Sequence, residues 1–288
     1  MHSFFIFLIF GILISPPAFS ESEQVSHVPQ HWPTDQDGSL KLPGISLNPV
    51  DRFIDINSTV CLNHGLLELI ACTKNTKEHE SIVVLNARPI HIHAALLLLK
   101  AKPGRPAMQK VIDKKNSRWI PVTPTGEKIE VSFVFRDPKG KNKELPISAF
   151  VSPTNLNEFA GIEVDEKIQP FPKTFLFAGS HFSEEKNMPV KYACEYSGNV
   201  ISISTFGDEL LCLPGIHGHA NDGLAWKVNA EKLPEVGTSL SLGFVSSTVP
   251  RKKPGIAEAK ARANKLNYRP EMANCPYRQF SGLRRCLR

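Results

Sequence analysis

Residues 60–104 read VCLNHGLLELIACTKNTKEHESIVVLNARPIHIHAALLLLKAKPG, and this stretch decides the fold. Two short apolar runs, Val60-Cys61-Leu62 and Leu66 to Cys72, flank Asn63-His64-Gly65, a turn signal that predicts a hairpin. Ser81 to Leu85 is apolar at alternate and intervening positions alike, as expected of a central strand covered on both faces. Pro89 suits the first turn of a helix and Pro103-Gly104 stops one, so a helix is predicted from Pro89 to about Ala101. Ala94 to Leu99 leaves that helix little polar face, which predicts cover on most sides, packed against a sheet.

Strand signals dominate on either side of it. Arg52 to Asn57 alternates, and Lys128 to Phe135 places Ile129, Val131, Phe133 and Phe135 on one face. Thr174 to Ala178, Leu210 to Leu213, Leu224 to Val228 and Ser239 to Val245 also read as strands. Val190 to Cys194 and Val200 to Phe206 read as a pair joined by a hairpin turn at Ser197-Gly198. A second helix is predicted over residues 155–160. The expected fold is α+β: one sheet-rich domain with a single buried apolar helix packed on the sheet.

The ends of the chain differ in character from this core. Phe4 to Ser15 is an apolar run followed by Pro16-Pro17 and small residues, the pattern of an export signal over residues 1–20. An uncleaved anchor is the alternative, although the run is shorter than the roughly 20 residues that span a bilayer. Residues 21–44 read as a polar linker, 45–250 as the domain and 251–288 as a basic tail. The tail holds eleven Lys or Arg against Glu258 and Glu271. A second basic patch runs from Lys100 to Arg118, with Asp113 its one acidic residue. Such blocks attract polyanions. In an exported protein the expected partners are anionic envelope polymers or lipid headgroups, reached through the tail, and not nucleic acid. No segment after the signal is apolar enough to span a membrane. The expected location is periplasmic, cell-envelope or secreted.

The six cysteines permit disulfides in an oxidising compartment. Cys275 and Cys286 enclose a short irregular segment and form the candidate bridge. Across the predicted hairpin, Cys61 would face Glu68 and stand roughly 13 Å from Cys72, too far for a disulfide.

Three neighbourhoods could carry chemistry. Cys72, His79, Glu80 and His93 lie beside apolar segments, and a histidine near a carboxylate can act as an acid–base unit. His79 and Glu80 can equally serve as a structural pair. On a helix, His91 and His93 are about 200° apart and cannot chelate one metal; one is expected to point inward and the other outward. The loop Gly215-Ile216-His217-Gly218-His219-Ala220-Asn221-Asp222-Gly223 offers His217, His219 and Asp222 as weak metal-ligand candidates. The chain contains no Gly-x-Ser-x-Gly, Walker loop, Gly-x-Gly-x-x-Gly, His-Glu-x-x-His or Cys-x-x-Cys. No particular cofactor is indicated.

Several blocks occur together in order: Leu66 to Cys72, Thr76 to Ser81, Ala87-Arg88-Pro89, His93 to Leu99 and Ala101-Lys102-Pro103-Gly104. They are followed by Phe177-Ala178-Gly179-Ser180, Tyr196 to Ser202 and Asn221-Asp222-Gly223-Leu224. This set, over Ile45 to Val245, resembles the YdjY-like domain of bacterial exported proteins. The resemblance implies no defined activity. A ferredoxin-like role, ascribed to some relatives, needs clustered cysteines that this chain lacks. The expectation is a non-catalytic binding or accessory module at the cell envelope. The competing expectation is an enzyme or metal protein built on the Cys/His/Glu cluster.

Overall fold

Alternation is strongest where the computed structural model places its longest strands. The structure describes residues 38–113, 115, 117–137, 139–154, 170–183, 190–218 and 226–247. The predicted signal, the tail with Cys275 and Cys286, and the helix predicted over 155–160 lie outside them.

The first half of the chain forms β1 (Leu40–Leu42), β2 (Ile45–Asn48), β3 (Phe53–Val60), β4 (Leu69–Cys72), β5 (Ser81–Leu85), helix α1 (Pro89–Leu98), β6 (Met108–Asp113), β7 (Arg118–Val122) and β8 (Lys128–Arg136). Then come β9 (Asn142–Pro146), β10 (Val151–Pro153), β11 (Thr174–Phe177), β12 (Phe182–Ser183), β13 (Lys191–Tyr192) and helix α2 (Ala193–Ser197). The last are β14 (Ile201–Ser202), β15 (Leu211–Cys212), β16 (Trp226–Val228) and β17 (Ser239–Ser246). β1 lies within the stretch that reads as linker, paired with β2.

Eight strands, in the order β3-β17-β8-β11-β15-β14-β4-β5, close on themselves because β5 also pairs with β3. The architecture is therefore a mostly β closed barrel, and the α+β expectation is corrected. Closure leaves none of the eight as a free edge. Its centre follows from the register. Leu242 of β17 lies opposite Ile56 on one side and Phe133 on the other, and Phe244 lies opposite Ile54 and Val131. Residues opposite one another share a face, so period-two apolar positions from three strands meet inside. Leu242, Phe244, Ile54, Ile56 and Phe133 are fully buried.

Two hairpin expectations fail. β3 and β4 do not pair across Asn63-His64-Gly65; both pair with β5, β3 antiparallel and β4 parallel. Ser197-Gly198 ends helix α2, with Gly198 in the left-handed conformation (φ 82°) that suits a helix C-terminus. A local turn signal cannot distinguish a hairpin from a return to a distant strand.

α1 is a helix as expected, and its cover is one-sided. Pro89, Ile92, Ala95 and Leu96 are buried against the core, whereas Leu97 and Leu98 are 46% and 51% exposed. The run of alanine and leucine carries no polar stripe to mark the outer face. Among the described residues, no helix is long and apolar enough to cross a membrane.

Candidate functional site

The C-terminus of α1 is closed by backbone bonds of the Schellman type. Ala101 N–H donates to the Leu96 carbonyl at 3.0 Å and Lys100 N–H to the Leu97 carbonyl at 2.8 Å. Lys100 takes the left-handed position with φ 64°, where glycine is usual. The Leu99 carbonyl accepts from Arg52 Nη2 at 2.7 Å. Arg52 is itself left-handed, with φ 56°. Two cationic residues thus occupy backbone conformations costing roughly 1–2 kcal/mol each for a side chain beyond glycine.

Both line one open groove of about 670 Å³, with Lys102, Pro103, Gly104, Thr125, Gly126 and Glu127. Its floor is backbone. Arg105 and Thr125 exchange N–H···O bonds of 3.1 and 2.9 Å, Gly104 N–H donates to the Phe177 carbonyl, and Phe177 N–H donates to the Glu127 carbonyl. A Cβ on Gly104 would stand 2.0 Å from the Thr125 carbonyl oxygen, and one on Gly126 (φ 149°) 2.2 Å from that of Phe177. Only glycine allows these segments to approach so closely. Glu127 is engaged by the Lys102 N–H at 3.0 Å and by the Ser246 hydroxyl. Among the described residues, neither the Lys100 nor the Lys102 ammonium group has a carboxylate partner.

Gly179 lies between Pro103 at the groove wall and His93. A Cβ on Gly179 would lie 3.1 Å from Pro103 Cβ and 3.3 Å from His93 Cε1. The Tyr192 hydroxyl donates to the Gly179 carbonyl at 2.8 Å, which uses its only proton. His93 Nδ1, 2.7 Å from the same hydroxyl, therefore donates to it and leaves Nε2 unprotonated. His93 packs edge-on against Phe177 and Tyr192. Burial lowers its pKa, against a hydrogen bond with Gly179 that raises it. Burial pushes the Tyr192 phenol well above its ordinary range. Ser180, left-handed at φ 52°, donates to the Asp208 carbonyl and accepts from the Cys194 N–H at 3.2 Å. Burial also pushes the Cys194 thiol up to about 12, so it is unreactive at neutral pH.

The other residues singled out in the sequence have separate partners. His79 is 64% exposed and meets Glu80 at 3.6 Å. Glu80 is bound more closely by Lys77, at 3.0 Å; Lys77 also reaches Glu68 and lies over the Phe206 ring. Cys72 is buried, and the Cys61 thiol beside it donates to the Ser81 carbonyl at 3.2 Å; the two neighbouring thiols hold the Cys72 pKa below and the Cys61 pKa far above the ordinary thiol value. Both are free thiols, and the hairpin on which their expected separation rested does not form. Among the described residues the buried Ser81 hydroxyl has no hydrogen-bond partner. Among the described residues, no hydrogen bond, ion pair or ring contact joins Cys72, the His79–Glu80 pair and His93, and no three metal-ligating groups gather. His217 Nε2 donates to the Pro214 carbonyl at 2.8 Å. His219 and Asp222 lie outside the described residues.

Arg52, Lys100, Lys102, Gly179 and Tyr192 were not singled out from sequence as site residues. Lys102-Pro103-Gly104 and Gly179-Ser180 stand in the blocks that carry the family resemblance, a signal that was present. Tyr192 and Arg52 had none, since each acts on a residue far away in the chain. A family model described as the YdjY domain matches residues 45–245. No curated protein and no solved structure matches.

Proposed function

The chain belongs to the YdjY domain family, and on that premise we propose that it is an exported binding module of the cell envelope that captures anionic groups of an envelope polymer in the groove beside His93. The observation that carries this reading is the cationic groove wall. Arg52 and Lys100 hold strained left-handed conformations there, and the ammonium groups of Lys100 and Lys102 lack carboxylate partners among the described residues. Backbone strain kept at such a place points to a use beyond folding. Phosphate or carboxylate groups repeated along a polymer would complement the groove, and the basic stretch at residues 251–288 would add longer-range attraction. Two polyanions, inorganic polyphosphate and poly-glutamate, test the reading by titration calorimetry. A Lys100→Ala/Lys102→Ala variant should bind at least one of them roughly tenfold less tightly, about 1.4 kcal/mol. A chain cut after Pro250 should keep the groove-dependent part. Equal affinity in the parent and the double variant rejects the reading.

One observation favours a second use of the same place. His93 presents an unprotonated Nε2 and a lowered pKa, the state in which an imidazole accepts a proton at neutral pH. This supports acid–base work by His93 alone, without Cys72, His79 or Glu80.

A further inference from the structure

β6 and β7 pair with each other in a two-stranded sheet separate from the barrel. The arm is rooted where Arg105 and Thr125 bridge. A two-stranded hairpin has little stability of its own in water, and this one also shows water its apolar side chains. Met108, Ile112, Trp119 and Ile120 are 49%, 54%, 53% and 42% exposed. They do not form a single docking face. In the register, Lys110 and Ile120 stand opposite each other on one face, and Val111 and Trp119 on the other. Positive charge is interleaved with them: Lys110, Lys114, Lys115 and Arg118 are set against Asp113 alone.

We propose that this hairpin docks the protein on a bilayer surface bearing anionic headgroups. A protein partner would cover one face of a two-stranded ribbon and leave the other wet. The interfacial layer of a membrane surrounds a ribbon that enters it tip first, so apolar groups on both faces are covered at once. Ile112 and Trp119 lie near the tip, within the ~5–10 Å to which interfacial segments sink. Tryptophan favours this layer because its ring is apolar and its N–H remains hydrogen-bonded. Lys110, Lys115 and Arg118 are exposed beside them and meet the headgroup phosphates as the apolar groups enter. The inference is independent of what the groove binds.

The experiment uses the full chain with Trp32→Phe and Trp226→Phe, which leaves Trp119 as the only tryptophan. It is mixed with vesicles of equal parts phosphatidylglycerol and phosphatidylcholine, and with phosphatidylcholine vesicles alone. The expected result is a blue shift of Trp119 emission with the mixed vesicles only. Adding Lys110→Glu and Arg118→Glu should weaken that response by at least about thirtyfold, the loss of the two cations alone. If the tryptophan background fails to fold, hydrogen exchange of the unaltered chain gives the same reading: amides of residues 108–122 should slow when mixed vesicles are added. Unchanged emission or exchange overturns the inference. So does a response that is equal in both vesicle types and indifferent to charge reversal.

Discussion

His93 Nδ1 lies 2.7 Å from the hydroxyl of Tyr192, whose proton is committed to the Gly179 carbonyl. A side chain on helix α1 is thereby fixed to the loop that follows β11, and its tautomer is set by a backbone oxygen. A Cβ added at Gly179 would meet both His93 and Pro103 at the groove wall, so the glycine leaves them room on either side.

Acid should weaken the fold through this residue. The folded pKa of His93 is lowered by burial, so below its ordinary value of about 6.5 the unfolded chain binds the proton more readily. The contribution is fully present above that value and is lost as pH falls through it toward the folded pKa. Urea melts at a series of pH values should show midpoints dropping in that window. In His93→Gln the drop attributable to this residue should disappear; the same slope in the variant would mean that other groups cause it.

Tyr192→Phe removes the donor to the Gly179 carbonyl and the acceptor for His93 Nδ1–H. A loss of about 1–3 kcal/mol is expected. In nitrogen-detected spectra the fixed Nδ1–H tautomer of His93 should give way to a mixture. A variant as stable as the parent, with unchanged tautomer signals, would show the relay to be idle.

Stability and binding should move in opposite directions at Lys100. Lys100→Gly relieves the left-handed strain and should stabilise the protein by about 1 kcal/mol, read from thermal or urea unfolding. It should also weaken polyanion binding, because the ammonium group is gone. A glycine variant that is less stable contradicts the strain argument, and one that binds as well as the parent contradicts the groove reading.

Much of the barrel was legible in single strands and little of it in their pairing. The alternation of Lys128 to Phe135, and the two covered faces of Ser81 to Leu85, predicted β8 and β5 correctly, because each carries its environment in its own residues. Closure was not legible. It depends on β5 meeting β3, and on the two-residue strands β14 and β15, which are too short to show a period. The hairpins expected at His64-Gly65 and Ser197-Gly198 failed because a glycine turn fixes local direction only. His93 was visible as a candidate from sequence. Its partner Tyr192 is 99 residues away, and the groove cations depend on how α1 ends.

The groove floor should tolerate no added carbon. Gly126→Ala places a Cβ 2.2 Å from the Phe177 carbonyl oxygen at φ 149°. Backbone must move, and a cost of about 1–3 kcal/mol or more is expected in unfolding midpoints. Gly65→Ala, at φ 112° with nothing within 4 Å, is the nearer control for the φ cost alone. Equal losses in the two variants would remove the close approach as the cause.

Nuclear magnetic resonance mapping of polyphosphate on the isotope-labelled chain tests the groove most directly. The amides of Lys102, Gly104 and Gly126 should shift together and saturably, and the shifts should be lost in Lys100→Ala/Lys102→Ala. Shifts confined to residues 251–288, or none at all, would contradict an anion site beside His93.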